Sequence, residues 1–93
     1  MQNKKIYLLQ QFQLIEYCEQ KKVEKVEIER ISLKKWYPIF YVNGGSGEIV
    51  RCSIRPEKIN DLRTWADLRV LADFLNKQCG IDECLLKLSD SEG

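Results

Sequence analysis

The chain has 93 residues, 44% of them apolar and 31% charged, with a net charge of +1 and no histidine. That composition describes one small globular domain, 1–93, and excludes disorder, which requires low hydrophobicity together with high net charge. No run approaches the roughly 20 apolar residues of a membrane span, and Ile6–Leu9 is too short for a secretory core, so a cytoplasmic chain with reduced cysteines and no membrane partner is expected.

Residues 4–20 predict a helix, since Gln, Glu and Leu favour it and no Gly or Pro interrupts it. Its apolar residues point almost all round, which calls for burial on most sides and motivates a homodimer; the alternative is that part of the segment is a strand. Residues 23–33 alternate as a strand, with Val26 and Ile28 on a dry face and Glu27 and Glu29 on a wet one. A second strand over 35–43 is rich in aromatic and β-branched residues, and Pro38 in it points to an edge or a bulge. The run Asn43-Gly44-Gly45-Ser46-Gly47 is the clearest turn, closing a hairpin onto a third strand at 48–54.

Residues 55–63 connect to a helix over 65–79, with Thr64 as its expected N-cap and Gly80-Ile81 as its stop. A short strand at 84–88 and a frayed tail at 89–93 complete the chain. The order α-β-β-β-α(-β) predicts a two-layer α+β domain: a three-stranded antiparallel sheet, extended by the short fourth strand where it forms, with the helices on one face.

Nothing in the residues assembles a catalytic or metal site, so no enzyme, metal or cofactor is expected. Cys79 and Cys84 have loose zinc-ligand spacing, but Cys18 and Cys52 stand alone, and burial as small apolar groups accounts for them. The glycine-rich turn runs into Glu48 and a strand rather than a helix N-terminus, so it is a hairpin tip and not a phosphate cradle.

Two groupings suggest binding. Tyr37, Ile39 and Tyr41 share one parity of their strand, and Val70 and Phe74 lie on the outer side of the last helix; left uncovered, both become contact surfaces for a second copy or another protein. Charge is also polarised along the chain. Residues 30–63 carry seven basic against three acidic residues, and residues 64–93 three against six. Lys34, Lys35, Arg51, Arg55, Lys58 and Arg63 are the candidates for the alternative function, nucleic-acid binding in a regulatory role.

The element order resembles that of the double-stranded-RNA-binding domain. That family places a lysine cluster where this chain has Arg63-Thr64-Trp65-Ala66-Asp67, so RNA binding does not transfer. The layout Lys35-Trp36-Tyr37-Pro38-Ile39-Phe40-Tyr41-Val42, an arginine-bearing strand and a helix closing on Gly80-Ile81 is similar to small uncharacterised accessory proteins of plasmids and integrated mobile elements, over residues 23–88. The resemblance implies an accessory role and supplies no catalytic residue. The reading is therefore a small non-enzymatic binding module, acting through protein contacts as a homodimer.

Overall fold

A computed structural model describes residues 5–88. Strand β1 (Tyr7–Leu9) leads into helix α1 (Gln11–Glu19); strands β2 (Val23–Ser32), β3 (Lys35–Asn43) and β4 (Ile49–Ile54) follow, then helix α2 (Leu68–Cys79) and strand β5 (Leu85–Lys87). The domain is α+β, as its pattern predicted. The sheet is larger than expected: five strands in the order β1-β4-β3-β2-β5, mixed rather than antiparallel. The antiparallel centre is the expected meander, and β1 and β5 add to its two edges in parallel, on β4 and β2 respectively.

The expected helix over 4–20 is corrected. Tyr7, Leu8 and Leu9 pair with Cys52, Ser53 and Ile54, and the helix begins only after Gln10, whose N–H is capped by the Gln13 side chain at 3.1 Å. The all-round apolar pattern arose from joining a strand to a helix. Its motive for a homodimer goes with it. Within α1, Leu14 is fully buried while Phe12 remains exposed. Lys21 closes the helix at φ +60, with its N–H and that of Lys22 donating to the Cys18 and Tyr17 carbonyls.

Strands β2 to β4 lie within a residue of their expected bounds. Pro38 is not at an edge: β3 is the central strand, and Pro38 pairs with Ile28. The β3–β4 pairing stops at Phe40–Cys52, and the Ile54 carbonyl instead accepts from the Arg63 N–H. In the turn, Gly45 and Gly47 adopt φ +95 and +90, conformations that favour glycine.

Helix α2 starts three residues later than expected, and Asp67 rather than Thr64 caps it, accepting from the Arg69 N–H at 2.9 Å. Trp65 leaves the helix to exchange two backbone hydrogen bonds with Trp36, at 2.9 and 2.7 Å. That pairing across 29 positions ties the start of α2 to the start of β3 and is invisible to local pattern. The expected stop holds: Gly80 is left-handed at φ +70, and Ile81 packs against the core.

One core lies between the sheet and both helices. Leu14 from α1 and Leu71, Leu75 and Cys79 from α2 meet Val26, Ile28, Phe40, Cys52 and Ile54 from the strands. From Lys25 onward the even-numbered residues of β2, β3 and β4 face the helices, and the odd-numbered residues of β2, β3 and β5 form a second, helix-free face; β1 is offset, so that Leu9 joins Ile54 on the core side, as does Val23 ahead of the bulge in β2. The frayed tail expected at 89–93 lies outside the described residues.

Candidate interaction surfaces

The helix-free face has an apolar centre and a charged surround. Ile39 is fully buried there, paired with Glu27 on β2. The Tyr37 hydroxyl donates to Glu29 at 2.8 Å, and the Tyr41 hydroxyl to Glu27 at 2.9 Å. Lys25 and Lys87 approach Glu27 at 3.5 and 3.4 Å, and Lys87 also reaches Glu29 at 3.8 Å. The Tyr41 ring has Lys25 at 4.7 Å and Arg51 at 5.9 Å from its centroid.

Glu27 is 4% exposed, unusual for a carboxylate, and its partners explain how it is tolerated. Burial pushes its carboxyl pKa up, but the Tyr41 hydroxyl, Lys87 and Lys25 outweigh that and hold it below the ordinary value. Burial and the Glu29 carboxylate push the Tyr37 hydroxyl up, so Tyr37 stays a neutral donor.

The sequence-predicted contact residues do not form one surface. Ile39 is buried, Tyr37 is 9% exposed and Tyr41 is half-buried with its hydroxyl satisfied, so the expected uncovered apolar patch is absent from this strand. The cause is cross-strand pairing, which the parity of one strand does not reveal. Phe74 is part-buried, its ring 5.5 Å from that of Trp65, while Val70 is 54% exposed. Both lie in the helix layer, on the opposite side of the sheet from Tyr37 and Tyr41.

The six basic candidates are likewise split. Lys34 and Lys35 are exposed at the β2–β3 turn, Arg51 lies by Tyr41, and Lys58 is exposed in the connection before α2. Arg55 and Arg63 border a cavity of about 340 Å³ with Gln11, Phe12 and Glu57. Arg63 is held there, 2.9 Å from the Gln11 side-chain oxygen and over the Trp65 ring at 4.2 Å.

Of the four cysteines, Cys18 on α1 and Cys79 on α2 are neighbours, while Cys52 and Cys84 stand apart. Cys52 and Cys79 are buried and Cys84 is exposed. A hydrogen bond with Cys18 and burial push the Cys79 thiol up; burial raises Cys52 and Cys84. Among the described residues no group of three His, Cys, Asp or Glu is placed to hold a metal, and no helix is long and apolar enough to cross a membrane.

The most exposed apolar strand is β5. Leu85, Leu86 and the following Leu88 are 55%, 46% and 51% exposed, and β5 is outermost in the sheet. A three-residue strand carrying leucines on both faces has one edge on β2 and the other bare among the described residues. Sequence reading placed a strand at 84–88 but could not tell an edge from the interior, because leucines at both parities also suit a buried strand. No family model, curated protein or solved structure matches the chain.

Proposed function

We propose that the chain is a non-enzymatic binding module that works through protein–protein contacts, with the outer edge of β5 as its contact strand. The observation that supports this is the half-exposed run Leu85, Leu86 and Leu88 on a terminal strand. Such an edge offers alternate backbone N–H and C=O groups to an incoming strand, while the leucines supply apolar surface. Natural edge strands usually carry charge, proline or a bulge to prevent pairing, and at β5 the one charged side chain is Lys87, itself held by Glu27 and Glu29. An accessory role of this kind also agrees with the resemblance to small mobile-element proteins.

The test combines a display library of extended peptides with sedimentation of the protein alone, for wild type and for Leu85→Lys with Leu88→Lys. Both leucines are more than half exposed, so the substitutions spare the core. Peptide binding or self-association by wild type, lost in the variant, supports the reading. Wild type that binds no peptide and does not self-associate, or a variant that behaves like wild type, overturns it.

A further inference from the structure

Resting on that reading, we infer that the strand received by β5 is β5 of a second copy, antiparallel and in a register centred on Leu85. A contact made by the same strand on both copies is isologous, and the two-fold axis that generates it makes the paired strands antiparallel. The register follows from charge. Leu85 pairs with Glu27 and Lys87 with Glu29, so both project on the helix-free face. The chain before them continues along β2: Glu83, Cys84 and Leu85 border a shallow cavity of about 210 Å³ with Lys25 and Val26. Continued in the extended conformation, Glu83 has the parity of Leu85 and Lys87.

With the axis at Leu85, Glu83 of each copy falls opposite Lys87 of the other, and the two Leu85 side chains meet between these pairs. On the opposite face Cys84 meets Leu86. Shifting the axis by one residue destroys both ion pairs: centred on Leu86, Lys87 faces Leu85; centred on Cys84, it faces Ile81. The segment Glu83-Cys84-Leu85-Leu86-Lys87 is therefore self-complementary in charge about its middle residue. Lys87 is already held by Glu27 at 3.4 Å and Glu29 at 3.8 Å, which reduces the ordering that pairing requires. The five-stranded sheet of each copy would join its partner's in one continuous sheet. A contact confined to edge strands is small, so the dimer is a weak one, with a dissociation constant on the order of 10–100 µM.

Sedimentation velocity from about 1 to about 500 µM tests this on the whole chain. Wild type is expected to move from monomer to dimer across the range. Glu83→Lys places lysines opposite each other, Lys87→Glu places glutamates opposite each other, and each is expected to weaken association at least tenfold. An equimolar mixture of the two variants restores opposite charges at both ends and is expected to recover wild-type association. Glu83→Lys alters only an exposed side chain, so it reports on pairing even if Lys87→Glu disturbs Glu27 and Glu29. The inference is overturned by a wild type that stays monomeric, by Glu83→Lys associating as wild type does, or by a mixture that fails to recover while each variant is folded. If wild type is monomeric yet binds peptides through Leu85 and Leu88, only self-pairing falls. If peptide binding is absent as well, the edge-binding reading falls with it.

Discussion

Replacing Glu27 by glutamine isolates the value of a single buried charge. The substitution keeps the shape of the side chain and an oxygen to accept from Tyr41, and it removes the attraction of Lys25 and Lys87. Both lysines are about half exposed, 53% and 52%, whereas the Glu27 side chain is 5% exposed. Pairs with a wet partner contribute roughly 0.5 kcal/mol each. The Tyr41 hydrogen bond adds about 0.5–1 kcal/mol for a charged over a neutral acceptor. Removing a covered charge from the native state returns part of this through relief of desolvation, leaving a net loss of about 1 kcal/mol at pH 7. For a domain of this size that corresponds to roughly 4–8 °C in Tm.

The pH dependence gives the decisive sign. The folded Glu27 carboxyl lies below its ordinary value of 4.5, so its stabilisation is fully present above 4.5 and disappears as pH falls through the lower folded value. Urea unfolding followed by the fluorescence of Trp36 and Trp65, both buried, measures wild type and variant stepwise from pH 7 to about pH 3. The two stabilities should converge below pH 4.5. A difference that stays constant with pH, or a glutamine variant as stable as wild type at pH 7, refutes the electrostatic account of this face.

Leu14→Ala, which empties a fully buried position of α1 in the common core, should cost about 2–5 kcal/mol in the same unfolding assay. The two helix ends should respond in opposite directions. Lys21→Gly relieves a left-handed residue at φ +60 and should raise stability by roughly 0.5–1 kcal/mol, whereas Gly80→Ala, at φ +70 in open space, should lower it by about 1 kcal/mol. Brief alkylation with iodoacetamide, read by peptide mass spectrometry, should modify exposed Cys84 well before buried Cys52 and Cys79, which should react only after urea is added. Early labelling of Cys52 would contradict the packing of β4.

The sequence by itself determined the centre of this protein. Alternation at Val26 and Ile28, the glycine turn at 43–47 and the one-sided helix ending at Gly80 are local patterns that specify three antiparallel strands and α2. It did not resolve what long-range pairing decided. Tyr7–Leu9 is a strand because β4 offers it an edge, and its own apolar pattern suits a helix as well. Trp65 is held out of α2 by two hydrogen bonds to Trp36, which offset the local preference for continuing the helix. The same holds for surfaces. Strand parity placed Tyr37, Ile39 and Tyr41 together on one face, but whether that face is dry depends on Glu27, Glu29 and Lys87 arriving from β2 and β5. Conversely, the leucines of β5 are exposed because only β2 pairs with them among the described residues. Periodicity reports which residues share a side of an element; exposure depends on what the rest of the chain brings against that side, which only the tertiary structure decides.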